Sequence, residues 1–492
     1  MIRDKINNFL KSDLQEKIAK GIFWSFLGTF ISRGATFIAY ILIANVIDIK
    51  EYGEIGILKS IIVTFSMFSL ASFGVTATRY ISIYKNVDLL KVKRVLSLTY
   101  YLTIGVSLLI SLFIITFSKM FSLEILGDEN FKTETIIISF AIFFSALNGF
   151  QNGVLGGFEK FRNISLINIS SGIIVIPLLF IFTKLYGVTG FCIGITIQYF
   201  FLFIHSSFFL KKTMKENKIS FTTKNMFDEI KIIREFSIPS FLGGFIISPT
   251  ILVCNTILVK SNGGFVSMGI YEAAFNFSII AMTFNSMIGQ VLYPFAVKMF
   301  GKKNQKFDFL NLNMPWIIGV FMGLFLIYFP DIFSLIFDEK YRNINMYRTV
   351  SCIAVFIIFI SQRQGISRNL AAINKMWYGF LDNLIWAFLA VGFTFLLVNK
   401  GASGRAFAFV MAYLINSIII LPIYINKKVF HRDFIFSKES ISLWLLVSTS
   451  FSTIFFDLNI LVRLLLLLFS LFILCLITYK WYFRFHSQIN KV

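Results

Sequence analysis

SFLGTFIS, residues 25–32, and SFLGGFIIS, residues 240–248, carry nearly the same message 215 residues apart. Each opens an apolar run of about 20 residues, the length a helix needs to cross ~30 Å of hydrocarbon. Runs of that kind recur almost end to end. The chain is 57% hydrophobic and 14% charged, with 62 Phe among 492 residues, more apolar surface than a soluble core of ordinary size absorbs. The fold class is therefore an all-α polytopic membrane protein. Hydropathy predicts fourteen helices, near residues 21–43, 55–78, 95–117, 135–156, 164–183, 187–209, 237–259, 266–295, 311–329, 347–369, 377–398, 403–425, 441–456 and 459–479. The tenth softens at Ser361-Gln362-Arg363-Gln364, and the thirteenth is short.

Sliding the sequence along itself tests whether the doubling is general. At offsets of 213 to 216, Ile55-Gly56-Ile57 meets Met268-Gly269-Ile270, Lys160 meets Lys375 and Asn168 meets Asn383. Gly187 and Gly190 meet Gly401 and Gly404, and Lys211-Lys212 meets Lys427-Lys428. In order and at one offset, these matches describe two parallel six-helix repeats, related by an axis along the membrane normal, around a central cavity. The expected organisation is a cytoplasmic leader (1–20), an N-lobe (21–210), a basic linker (211–236), a C-lobe (237–426) and a C-terminal helix pair with tail (427–492). Ile6, Phe9, Leu10, Leu14 and Ile18 make the leader either an amphipathic helix on the membrane surface or a solvated segment, and no signal-peptide pattern is present.

The net charge of +21 is read as orientation and not as nucleic-acid binding. Lys and Arg are about threefold more abundant on the side that holds both termini, which places those termini in the cytoplasm. Cys192, Cys254, Cys352 and Cys475 stand singly, and the three His are scattered, so neither zinc nor disulfide chemistry is expected. The chain contains no Walker-type GxxxxGK[ST] stretch and no HExxH. A driven cycle would draw on an H⁺ or Na⁺ gradient or on substrate supply, with no cofactor.

A few charges fall inside apolar helices. Arg33 lies near mid-membrane, where an unpartnered charge costs at least ~2.5 kcal/mol on insertion scales. It either faces the cavity, where its donor fork suits a phosphate oxygen, or pairs with a carboxylate. Lys59 and Glu272 occupy the same repeat position and form a gate, line the cavity, or snorkel to the surface. Pro249, in Ser248-Pro249-Thr250, matches Gly34 beside Arg33, which makes the two positions hinge candidates, the alternative being a packing kink. Arg363, Arg368 and Lys375 are candidates for receiving a diphosphate at the cytoplasmic mouth, or simply obey the positive-inside rule. Asp382 is either a proton or cation site or a solvated interfacial carboxylate.

Several segments carry a family likeness: Lys20-Gly21-Ile22-Phe23-Trp24-Ser25-Phe26-Leu27-Gly28, Glu51-Tyr52-Gly53-Glu54-Ile55-Gly56, Gly74-Val75 with Arg79-Tyr80, and Gly156-Gly157-Phe158-Glu159-Lys160-Phe161. In these the chain resembles the polysaccharide flippases of the multidrug/oligosaccharidyl-lipid/polysaccharide exporter superfamily, especially the O-antigen (Wzx-type) flippases. The resemblance implies translocation of an undecaprenyl-diphosphate-linked sugar unit from the inner to the outer leaflet of a bacterial cytoplasmic membrane. It implies membrane lipids and a lipid-linked oligosaccharide as partners, association with a polysaccharide polymerase complex, and no enzymatic activity. It further implies a cavity lined by the first, second, seventh and eighth helices, which here carry Arg33, Lys59, Pro249 and Glu272. Fourteen helices with a C-terminal pair look more like the peptidoglycan-precursor branch, and a cation-coupled drug exporter shares the layout.

Overall fold

The computed structural model describes residues 2–70, 73–238, 241, 245–299, 305–373 and 375–487, and among these it is helical throughout, without a strand. We number the main helices α1 (Ile2–Val46), α2 (Ile49–Leu70), α3 (Phe73–Tyr84), α4 (Leu89–Thr116), α5 (Lys132–Gly157), α6 (Phe161–Glu216) and α7 (Ile247–Val259). They continue as α8 (Gly264–Met299), α9 (Met314–Tyr328), α10 (Ile344–Ala372), α11 (Met376–Leu397), α12 (Gly401–Asn426), α13 (Lys438–Ser452) and α14 (Ile460–Ser487). Among the described residues nine helices are long and apolar enough to cross a membrane, or ten if the bent pair α2–α3 is one span. Two of these, at Phe161–Glu216 and Met376–Asn426, are about twice a membrane's thickness and contain a reversal. Of the predicted segments, 441–456 is met by a helix of only 15 residues. The span predicted at 237–259 is described as a helix only from Ile247, and much of the SFLGGFIIS copy lies outside the described residues.

The repeat is visible at atomic detail in the two reversals. Inside α6 the chain turns at Gly187 (φ 57°, ψ −136°), and before α12 it turns at Gly401 (φ 62°, ψ −138°). Only glycine enters that part of φ/ψ space without severe clash. Three residues later a Cβ on Gly190 would lie 1.9 Å from the Phe182 carbonyl, and one on Gly404 would lie 2.1 Å from the Leu397 carbonyl. Both glycines let one helix pass against the end of the preceding one. Gly187→Ala is expected to destabilise the first unit by about 1–3 kcal/mol, read as a lower thermal midpoint of the purified protein. A midpoint equal to wild type would contradict the strain argument.

The chain divides into two compact units, Met1–Ala39 with Leu58–Ser248, and Tyr40–Ile57 with Pro249–Val492. In the first, α1 lies on α6 through Gly28, whose Cβ would meet the Ser165 Cα at 2.7 Å, and through Gly172 on α6, against the Ile31 carbonyl at 3.1 Å. Helices α3 and α5 cross with backbones touching at Gly74 and Gly153. Ala77, Ile81, Leu96, Phe150 and Val154 form the apolar core around that crossing. In the second unit, Gly53 and Gly269 bring α2 and α8 together, each facing a carbonyl of the other helix, and Asn276 Nδ2 donates to Tyr52 Oη at 2.7 Å. The C-terminal pair is packed into this unit's core: Trp316 of α9 contacts Trp444 of α13 and Trp481 of α14, with ring centroids 5.6 and 5.8 Å apart. Tyr328 Oη meets Ser450 and Ser470 Oγ at 2.9 Å, tying the same three helices by polar contacts.

Candidate functional site

The face of α1 that carries Gly21, Gly28, Ile31, Ser32 and Ala35 is the one packed on α6. Five residues beyond Gly28 is a rotation of about 140° at 100° per residue, and Arg33 accordingly stands on the opposite face, exposed. Among the described residues it has no hydrogen bond or ion pair, which leaves the alternative of a carboxylate partner without support. Phe26 and Phe30 share its face, stacked with centroids 6.2 Å apart. The guanidinium is therefore held on an apolar helix surface that this unit leaves uncovered. Gly34 has no neighbour within 4 Å of a would-be Cβ.

Lys59 is half-buried and falls in the first unit, whereas Glu272 is buried in the second. Pro249 is not in the middle of a helix. The helix is interrupted at Ile246, and Pro249 stands in the first turn of α7, where a missing N–H removes no helical hydrogen bond. The division between the units passes between Ser248 and Pro249.

The three mouth candidates separate by their partners. Arg363 is locked: Nη1 donates to both Asp382 oxygens at 2.8 and 2.6 Å, and Nη2 donates to Ser417 Oγ at 2.9 Å. Asp382 also accepts from Asn416 Nδ2 at 2.6 Å and Tyr424 Oη at 2.8 Å. Both charged side chains are mostly covered, at 12% and 16% exposure, so Asp382 is no solvated interfacial carboxylate but the centre of a buried network across α10, α11 and α12. Lys375 Nζ donates to the Lys427 carbonyl at 3.0 Å and thereby satisfies an open acceptor at the end of α12. Arg368 is 6% exposed and held by Asn311, its Nε donating to Oδ1 at 2.7 Å and its Nη2 to the backbone carbonyl at 2.8 Å. Among the described residues no carboxylate takes part.

Sequence reasoning missed two buried charges by assigning them to helix ends. Arg405, on α12, is fully buried; Nη2 donates to Asn255 Oδ1 at 3.1 Å, and the guanidinium lies 3.8 Å from the Phe409 ring centroid and 4.8 Å from that of Tyr271. Aromatic faces stand in for an anion there. Glu134, on α5, is buried, accepts a hydrogen bond from Thr189 Oγ1 and keeps its second oxygen without a partner. The available signal was the company of small residues, Gly401-Ala402-Ser403-Gly404 beside Arg405, which lets neighbouring helices close over the charge. Among the described residues no group of His, Cys, Asp and Glu is arranged to hold a metal.

Residues 18–300 match the family model described as polysaccharide biosynthesis protein. The chain belongs to this family. A curated relative, an uncharacterized membrane protein of Methanocaldococcus jannaschii, is 24% identical over 428 residues, covering 82% of this chain and 96% of its own length. Among solved structures, the fold is similar to the lipid II flippase MurJ in an inward closed conformation, with TM-score 0.69 and 17% identity over 95% of this chain and 100% of that one. It is also similar to an inward-facing multidrug resistance MATE family transporter of the MOP superfamily, with TM-score 0.65 and 13% identity over 86% of this chain and 96% of that one. These likenesses bear out the family resemblance and the fold class: the chain is a multi-pass membrane protein with the fold of MOP transporters.

Proposed function

We propose that this family member is a flippase. It carries an undecaprenyl-diphosphate-linked oligosaccharide, a repeat unit of O-antigen, capsule or another surface polysaccharide, from the inner to the outer leaflet of the bacterial cytoplasmic membrane by alternating access. The observation that carries the reading is Arg33: a guanidinium without a counterion among the described residues, exposed on a membrane-spanning helix, suits the anionic head of a lipid carrier. Lys59, Glu272 and the interrupted start of α7 at Pro249 complete the proposed path and its moving parts. The cycle uses no cofactor and draws on substrate supply or on an H⁺ or Na⁺ gradient, both termini are cytoplasmic, and a polysaccharide polymerase complex is the expected partner downstream.

Transfer of a fluorescent lipid-linked oligosaccharide in proteoliposomes tests the reading. Arg33→Ala should slow it at least about tenfold, with Arg33→Lys recovering part of the rate because it keeps the point charge but loses the bidentate fork. Unchanged transfer in Arg33→Ala would remove this residue, and with it the argument. A second reading, transport of a peptidoglycan precursor, is favoured by one observation, namely that the likeness to MurJ extends over 95% of the chain. Presenting both lipid classes to the same vesicles decides between them.

A further inference from the structure

Near its crossing of α8, α9 and α10, the second unit is polar where the first is not. Gly74 and Gly153 touch in the first unit; 215 residues on from each stand Gly289 and Arg368, again facing one another. At the same offset, buried Leu96, Ala146, Leu147 and Val154 of the first unit are replaced by buried Asn311, Ser361, Gln362 and Asn369. In the first unit these particular positions hold hydrocarbon and glycine, although the same crossing also carries a polar contact, Thr78 Oγ1 donating to the Gly153 carbonyl at 2.7 Å. At these positions, then, the fold closes without polar side chains.

Two of these groups, Asn311 and Asn369, hold one cation. Asn369 Nδ2 donates to the Val429 carbonyl at 2.9 Å and its Oδ1 accepts from Asn311 Nδ2 at 2.7 Å, which turns Asn311 Oδ1 toward Arg368 Nε. The fork is thus fixed on two of its nitrogens. Nη1 is buried, has no partner among the described residues, and lies 3.4 Å from where a Cβ on Gly289 would sit, so it is aimed at a glycine on α8. Helix α10 contains no Asp or Glu, and from 285 to 329 the chain has only Asp308. A buried cation with two free N–H groups and, among the described residues, no acid paired with it is prepared for an anion from elsewhere.

We propose that the junction of α8, α9 and α10 in the second unit is an oxyanion site for a phosphoryl group, with Arg368 Nη1 as its donor and the Gly289 face as its opening. The choice of phosphoryl chemistry rests on the diphosphate-carrier reading above. A planar fork clamped by Asn311 is preorganised for such an oxygen, which takes two N–H bonds at little entropic cost.

Binding to the full chain in nanodiscs tests the site, with inorganic pyrophosphate as one probe and a short polyprenyl diphosphate in the bilayer as the other. Arg368→Met should weaken binding at least about tenfold, and Arg368→Lys by less. Without ligand the Met variant should melt no lower than wild type, since it removes a buried charge that nothing neutralises; a purely structural arginine predicts a lower midpoint and no change in binding. Gly289→Val leaves the arginine in place and fills its open side, and should weaken binding as well. Arg368-dependent binding of either probe supports the site, and binding of the polyprenyl compound alone identifies a lipid head group as the source. Binding of neither probe, or equal binding in wild type and Arg368→Met, overturns it. Transfer that is indifferent to Arg33→Ala would end the transport reading while leaving this binding result untouched.

Discussion

Asp382→Ala is expected to destabilise the second unit by about 3–5 kcal/mol, the cost of leaving a buried charge without its partner. Arg363 would keep Ser417 but lose both bonds to the carboxylate, and Asn416 and Tyr424 would lose theirs. Low dielectric strengthens such a network when it is complete and penalises it when it is broken. The matching variant, Arg363→Met with Asp382→Leu, removes both charges and should recover most of the loss, because two paired ions and two apolar side chains of similar volume are often close in free energy. The thermal midpoints of the single and double variants measure this directly. A single variant that melts with wild type would show that the pair contributes nothing, and a double variant no better than the single would show that the polar partners, not charge balance, carry the effect.

Gly153→Val should be at least as damaging to the first unit. A Cβ at this position would lie 2.2 Å from the Gly74 carbonyl oxygen and 2.7 Å from its Cα, both backbone atoms that no rotamer change can move. Thr78 Oγ1 adds a hydrogen bond to the Gly153 carbonyl at 2.7 Å, so parting the helices would also cost that bond. Overpacking a tight crossing typically costs about 1–3 kcal/mol where side chains can yield, and here the obstacle is main chain. The expected outcome is loss of folded protein from detergent extracts. Gly105→Ala is the control: nothing lies within 4 Å of that position, and alanine in a helix interior is favoured by about 0.5–1 kcal/mol. Equal recovery of Gly153→Val and wild type would contradict the crossing described here.

Much of the architecture was legible before any coordinates. Apolar runs reveal membrane helices because hydrocarbon leaves a backbone few ways to satisfy its polar groups. Gly187 and Gly401 could be paired from sequence, and the structure gives them the same positive φ. Arg33 could be picked out because one charge in an uncharged run is conspicuous by position alone. The errors came from depth and pairing. Arg405 lies four residues after the turn at Gly401, where hydropathy reads a helix end and an exposed charge, yet small neighbours allow α7 and α8 to cover it completely. Arg363 and Arg368 are five residues apart and looked equivalent. Helical rotation sends one toward Asp382 on α11 and the other toward Asn311 at the head of α9.

From its sequence alone this protein was bound to be a doubled, all-helical membrane protein with a lone arginine in its first span, because hydropathy, repetition and glycine's backbone freedom are properties of residues in chain order. Which of its buried cations is paired with an acid, and which are left with open donors and no acid, was decided only when separate helices came together. Ion pairing depends on distances of a few ångströms between side chains far apart in sequence, and local pattern carries no information about those.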